Sequence, residues 1–423
     1  MKKVYLLAFT GLFASLSYGQ CDEGRYASDV FTSVDKDSNV VYGSNQNWFG
    51  TTQSLIMDVY EPNADTETAR PLIIWAHGGS FQVGSKTDAD VVTLADKFVK
   101  KGYVFASIDY RVTFFPLTQA EGIKAVMRAV HDMKASIRFF YKDRATTDTY
   151  KIDTTKIYIG GTSAGAITAL HLAYLDQECE ILEYMNPNDL SDFGGIQGNS
   201  GNPGFSTEIQ GVMSLAGALA SYGWMEAGDP PLCSTHGTED ATVRYNRGFV
   251  MAGATSIMEL DGSRVIKEHA DAIGVQNNFY THNGAGHVPH ASSAAYMDTT
   301  VNFIRDFLID QMGCTNAALQ PANTPFGPAV LYPLTYCAAS IAENNAELIN
   351  SIYPNPSSNN MTISFNETGE KTIVLMDIAG RVIRNENTSS TSYILERNGL
   401  KGGTYIVKVN INGSTSASKV VFE

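Results

Sequence analysis

Between residues 40 and 312, short apolar runs alternate with stretches of helical periodicity. Residues 55–60, 72–76, 103–108, 156–159, 211–215, 232–235 and 278–281 read as strands. The run Leu72-Ile73-Ile74-Trp75-Ala76 is apolar at every position, the pattern of a strand covered on both faces. Helical patterns fill the intervals at 88–101, 119–141, 164–176, 263–273 and 292–311. This alternation predicts an α/β fold, a mostly parallel sheet with helices on both sides. In such folds the working groups gather beyond the carboxyl ends of the strands.

Two regions break the rhythm. Residues 183–210 are rich in Gly, Asn, Pro and Ser, and are expected to form either an open surface loop or a lid over a pocket. Residues 315–350 lack periodicity, contain several prolines and read as an extended linker. Beyond them period-two runs at 361–365, 372–376, 381–384, 404–409 and 418–422 predict a small β-sandwich over 351–423, with a hairpin turn at Asp377-Ile378-Ala379-Gly380. This tail carries Tyr353-Pro354-Asn355-Pro356, then Leu375-Met376-Asp377-Ile378-Ala379-Gly380-Arg381-Val382, then Leu400-Lys401-Gly402-Gly403-Thr404-Tyr405. In that combination it resembles the type IX secretion sorting domain of exported bacterial proteins. The resemblance implies passage through the periplasm and outer membrane, a secreted or cell-surface location, and the type IX secretion machinery as partner.

The amino terminus fits export. Lys2 and Lys3 precede an apolar run from Val4 to Leu16, and Ser17-Tyr18-Gly19 sets small residues three and one before a cut, so residues 1–19 read as a signal peptide. The run is too short to span a bilayer, and no transmembrane segment is expected in the mature chain. Gln20 ahead of Cys21 does not suit a lipoprotein cleavage site. A net charge of −14 argues against nucleic acid as a partner and against electrostatic docking to anionic lipid. Of the five cysteines, Cys233 lies in an apolar strand-like run and is expected to be a buried free thiol. Export permits bridges among Cys21, Cys179, Cys314 and Cys337, with the pairing open.

Candidate chemistry lies at strand ends in the region 20–314. Gly161-Thr162-Ser163-Ala164-Gly165 fits G-x-S-x-G between an apolar strand and a helix. Small flanking residues let strand and helix approach, so the hydroxyl stands clear on a strained turn. A serine hydroxyl needs a base. His287, in the Gly-rich loop after the last strand, is the candidate, with His282 and His290 as rivals; His171 and His269 fall on helices. Asp240 closes the preceding strand in His236-Gly237-Thr238-Glu239-Asp240, with Glu239 as rival, and its carboxylate would orient the imidazole. The backbone N–H groups of Gly79, Ser80 and Ala164 are candidates for an oxyanion hole. Phe81, Phe114, Phe115 and Trp224, with Phe193, are candidates for an apolar substrate pocket. His77, His236, His287 and His290 match no compact metal-ligand spacing, so no metal or cofactor is expected.

Together His77-Gly78-Gly79, Asp109-Tyr110-Arg111, the Ser163 pentapeptide, the Asp240 turn and Gly286-His287 resemble the α/β-hydrolase superfamily, near its carboxylesterase and hormone-sensitive-lipase-like branches. The resemblance implies an eight-stranded, mostly parallel sheet and hydrolysis of small or polymeric carboxylic esters through an acyl-enzyme. The sequence departs from the pattern at Ser80, where a third glycine is common, and shows no cap domain before the first strand. A prolyl-peptidase-like enzyme and a non-catalytic surface adhesin of the same fold are the competing readings.

Overall fold

The structure is a computed structural model that describes residues 24–314, 319–334, 337, 348–366, 368–377, 381–411 and 414–423. The expected signal peptide and residues 378–380 of the expected hairpin turn lie outside this set. The chain divides into two compact units, Met1–Tyr336 and Cys337–Glu423.

In the first unit, the elements run β1 (Val34–Gln46), β2 (Thr52–Pro62), β3 (Arg70–Ala76), α1 (Ala89–Val99), β4 (Val104–Ile108), α2 (Gln119–Ala145), β5 (Ile152–Thr162) and α3 (Ala164–Tyr174). They continue with α4 (Glu178–Leu182), α5 (Pro187–Asp192), β6 (Gly211–Leu215), β7 (Ala218–Leu219), β8 (Leu232–Gly237), β9 (Arg247–Ala252) and β10 (Thr255–Gly262). Last come α6 (Ser263–Ile273), β11 (Asn277–His282), α7 (Pro289–Ser292) and α8 (Ala294–Gln311). The main sheet has eight strands in the order β1-β2-β4-β3-β5-β6-β8-β11. β1, β2 and β4 pair antiparallel, and every pairing from β4 to β11 is parallel.

The apolar run of β3 is buried at every position. Its side chains alternate between two cores: Leu72, Ile74 and Ala76 join α2, α3 and α6 on one face, while Ile73 and Trp75 join α1 and α8 on the other. That alternation, set by the period-two geometry of a strand, explains why the run carries no polar residue. Cys233 is buried and free as expected, and burial pushes its thiol up, which leaves it unreactive. Cys179, Cys314 and Cys337 are disulfide-bonded.

Residues 183–210 pack as an ordered segment of the first unit, with Met185 and Leu190 buried in its core. They carry α5 and dock on α2: Lys134 Nζ donates to the Ile196 carbonyl at 2.8 Å, Arg138 to that of Gln197 at 2.7 Å, and the Ser200 hydroxyl to Asp132 at 2.7 Å. Polar side chains of α2 supply the backbone partners that this irregular segment lacks in itself. Phe193 lies over Arg128 and near His131, and is not in the lining of the pocket beside Ser163. Residues 319–334 are extended, as composition suggested, yet they lie bonded along the first unit; Asn323 alone exchanges two hydrogen bonds with the backbone of Thr281.

The second unit holds two antiparallel sheets, β12 (Ile349–Tyr353), β13 (Asn360–Phe365) and β16 (Ser392–Glu396), and β15 (Val382–Thr388), β14 (Lys371–Asp377), β17 (Gly403–Ile411) and β18 (Ser414–Phe422). Met361, Ile363, Ile373, Leu375, Val407 and Val409 fill the space between them, a β-sandwich. Asn355 of the Tyr-Pro-Asn-Pro motif stitches the entering chain to β18, donating to the Lys419 carbonyl at 2.8 Å and accepting from Val421 N–H at 2.9 Å.

Candidate active site

Ser163 stands between β5 and α3 with φ 55° and ψ −113°, a conformation an L-residue holds only under constraint. The constraint is visible in its glycine neighbours. A Cβ on Gly165 would lie 2.0 Å from the Ala76 carbonyl oxygen, and one on Gly161 would lie 2.2 Å from the Gly165 carbonyl carbon. Only a chain bare at both positions brings α3 so close to β3 and β5, and that approach turns the serine outward.

The loops after β8 and β11 meet beside it. Glu239 N–H donates to the Ala285 carbonyl at 2.9 Å and Gly284 N–H to the Thr238 hydroxyl at 2.8 Å. Gly237 makes room for this contact, since a Cβ there would fall 2.2 Å from the Gly286 carbonyl oxygen. The result is a hydrogen-bonded chain: Ser163 Oγ lies 2.8 Å from His287 Nε2, and His287 Nδ1 lies 2.6 Å from Asp240 Oδ2. The other oxygen of Asp240 accepts from the N–H groups of Thr242 at 2.8 Å and Val243 at 2.9 Å. Burial alone would raise the Asp240 carboxyl, but its hydrogen bonds with His236 and His287 outweigh this and hold it well below the usual carboxylate range.

The rival residues lie elsewhere. Glu239 is exposed. His290 sits beneath the serine turn, 3.3 Å from Asp90 and 3.4 Å from the Thr162 hydroxyl. His282 packs edge-on against Tyr296. His171 is buried in α3 and bonds the Ile167 carbonyl at 2.8 Å. His236, read as a turn residue, is fully buried, with Nδ1 2.9 Å from the Ser263 hydroxyl and Nε2 2.9 Å from the Val243 carbonyl. It clamps the Asp240 turn from below. His77, Tyr110 and Arg111 of the other motifs are likewise supports. Tyr110 donates to the His77 carbonyl at 2.8 Å and stacks on its ring, and Arg111 grips buried Asp132 through paired bonds.

Gly79, Ser80 and Phe81 form a run of positive φ, at 112°, 54° and 60°, that curls the loop after β3 toward the serine. Ser80 and Ala164 border the pocket beside Ser163, with Gly79 one residue behind. None of the three N–H groups is spent on a protein acceptor among the described residues.

The pocket at Ser163 encloses a cavity of about 40 Å³ and has no charged residue in its lining. Phe81 and Phe114 line it. Phe115 does not; it is 66% exposed, next to the pocket residue but turned to solvent. Trp224 lines a second hollow, against His171 and Tyr184. The pocket wall that sequence reasoning missed is the β9–β10 hairpin, which supplies Val250, Met251, Ala252, Ile257, Met258 and Leu260. Its signal is in the sequence: two mainly apolar stretches flank Gly253-Ala254, the pattern of a hairpin. Among the described residues no cluster of His, Cys, Asp and Glu is arranged to hold a metal ion.

Comparison with known proteins agrees with this division of the chain. Residues 57–254 match the BD-FAE family, and residues 351–423 match the secretion system C-terminal sorting domain. Among curated relatives, Gut esterase 1 of Caenorhabditis briggsae is 28% identical over 120 residues, which cover 28% of this chain and 20% of that protein. A carboxylic ester hydrolase of Bombus ignitus is 25% identical over 130 residues, covering 30% and 22%. The chain thus spans about a fifth of the length of the curated relatives it matches. Among solved structures, apo Thermogutta terrifontis esterase 2 aligns with a TM-score of 0.47 at 20% identity, over 67% of this chain and 96% of that one. A truncated carbohydrate esterase from gut microbiota aligns with a TM-score of 0.47 at 18% identity, over 68% and 99%. The sorting domain marks the chain for export to the cell surface or beyond it. The chain therefore pairs an α/β region, matched over residues 57–254 by the BD-FAE family, with a tail matched over residues 351–423 by the secretion system C-terminal sorting domain.

Proposed function

We propose that this chain is an exported serine esterase that hydrolyses carboxylic esters through an acyl-enzyme. The observation that carries the reading is the unbroken chain from Ser163 Oγ through His287 to Asp240, at 2.8 and 2.6 Å, opening onto an apolar pocket. Ser163 attacks the ester carbonyl as His287 Nε2 takes its proton. Asp240 holds Nδ1–H in place and offsets the charge of the imidazolium. The carbonyl oxygen, now negative, is received by the N–H groups of Ala164 and Ser80, with Gly79 behind them; losing one such donor costs on the order of 10²–10³ in turnover. His287 passes its proton to the leaving alcohol, the acyl group stays on Ser163, and water enters by the same route to release the acid.

The uncharged lining suits the acyl portion of the ester, and the alcohol portion leaves toward solvent. The names of the curated relatives, an esterase and a carboxylic ester hydrolase, support the same reaction class. The sorting domain is proposed to engage the type IX secretion machinery. Ser163→Ala tests the assignment. The variant should lose hydrolysis of 4-nitrophenyl acetate and labelling by a fluorophosphonate, with its thermal unfolding preserved. Retained turnover would end the reading.

A further inference from the structure

The hairpin that walls the pocket is weakly held by its own sheet. β10 pairs with β9 and with only Ala218 and Leu219 of β7, and none of the three joins the main sheet. A two-stranded hairpin has little stability of its own. Beyond the core packing of Met258 and Leu260 and the bond from Met251 N–H to the Thr242 carbonyl, it is held by residues 319–334, which lie outside both matched regions. This strap bonds the residues that flank the hairpin at each end. Phe326 N–H donates to Tyr245 Oη at 2.9 Å, and Asn246 both donates to the Pro328 carbonyl and accepts from Val330 N–H, each at 2.8 Å. Arg264 Nε donates to the Gly327 carbonyl at 3.0 Å.

The tightest knot is Tyr332. Its hydroxyl donates to Asp261 Oδ2 at 2.7 Å and lies 3.2 Å from Ser221 Oγ, while its carbonyl accepts from the Tyr222 hydroxyl. Its ring lies 4.0 Å under the guanidinium of Arg247, which itself donates to Asp261 Oδ1 at 2.7 Å. Arg247 opens β9 and Asp261 is the last residue but one of β10, so one aromatic side chain closes the base of the hairpin. Asp261 is fully buried and also accepts from Tyr222 N–H at 2.8 Å, so its carboxylate is fixed on every side.

We propose that Tyr332 is a positioning residue for the acyl-binding wall: through Arg247 and Asp261 it fixes the β9–β10 hairpin, so the strap is a working part of the pocket. The proposal rests on the esterase reading for its substrate consequence and on geometry alone for its structural one. Val250, Met258 and Leu260 line the pocket, so an acyl group long enough to reach the hairpin would lie against them. Loosening the wall therefore weakens binding of longer acyl groups and leaves the chemistry at Ser163 alone.

The test uses the full chain with Tyr332→Phe and Tyr332→Ala. Hydrogen exchange at residues 248–260 should quicken about tenfold or more in Tyr332→Ala, and less in Tyr332→Phe, with β3 and β5 unchanged. KM for 4-nitrophenyl hexanoate should rise about fivefold or more in Tyr332→Ala, while kcat for 4-nitrophenyl acetate stays within about twofold. Unchanged hairpin exchange in both variants would overturn the proposal. So would faster exchange throughout the unit with kcat falling equally on both esters, which is the mark of a merely structural role. A wild-type chain that cleaves neither ester and resists a fluorophosphonate would defeat the esterase reading, and the exchange data would still decide whether the strap fixes the hairpin.

Discussion

Asp240 is held from three sides, and the arrangement dictates what a single-atom change does. Oδ1 accepts from the N–H groups of Thr242 and Val243, and Oδ2 faces His287. In Asp240→Asn the two N–H donors keep the amide oxygen on their side, which turns the NH₂ group toward Nδ1. The imidazole must then accept at Nδ1 and carry its proton on Nε2, where it no longer takes one from Ser163. Loss of about 10³–10⁴ in kcat is expected, with unfolding temperature little altered. A loss under about tenfold would show that the carboxylate does not set the tautomer. At this scale the sequence was informative where chemistry repeats a fixed spacing at a strand end, as at Ser163, Asp240 and His287. It was uninformative for the aromatics. Phe114 and Phe115 are neighbours of one type, yet one faces the pocket and the other solvent. Only tertiary packing separates them.

The secondary elements show the same boundary between local pattern and context. β3 and β6 were legible because each is buried at every position and so is mainly apolar, with only Arg70 and Ser214 polar. β1 was not: it is an edge strand, exposed along most of its length, and neither face imposes alternation. The β9–β10 hairpin is half-buried and shifts register between Ser256 and Met258, which breaks the period of two. Its residue Met258 also carries a testable consequence. Met258, Val126 and Leu260 line both the Ser163 pocket and the hollow bounded by Trp224, His171 and Tyr184, and so partition the two. Met258→Ala removes a movable part of that partition. The expected cost in stability is about 2–5 kcal/mol by urea unfolding. In return the ratio of kcat/KM for an octanoyl over a butanoyl 4-nitrophenyl ester should rise about fivefold. An unchanged ratio would mean that the two spaces do not join.

Across the whole molecule, buried titratable groups set how stability depends on pH. The strap at 319–334 passed for a linker because its bonds run to side chains scattered over the first unit, which no periodicity records; the buried histidines are invisible to pattern for the same reason. Burial holds His131 down to about 3 and His171 and His282 to about 4, against an ordinary value of 6.5. Between about pH 6.5 and 4 the unfolded chain takes up protons at these rings that the folded chain refuses. Stability is therefore lost on acidification through that window, by at most about 1.4 kcal/mol per pH unit for each fully buried ring. Burial acts the other way on two carboxyls, raising Glu180 to about 7 and Asp229 to about 6. There the folded chain binds the proton first, so these two add stability as pH falls from about 7 toward the unfolded values near 4. Three rings outweigh two carboxyls below about pH 6.5, so the unfolding temperature of the first unit should decline from about pH 6.5 toward pH 4.5. Glu180→Gln separates the opposing contributions. The amide oxygen still accepts from Asp176 and Gln177 N–H, which Glu180 Oε2 receives at 3.1 and 3.0 Å, but it carries no charge to bury. Calorimetry should show Glu180→Gln more stable than the parent at about pH 8 and equal to it at about pH 5. A parent whose unfolding temperature climbs steadily from pH 7 to 4.5 would mean that the rings are charged in the folded chain, and the sign of the whole balance would reverse.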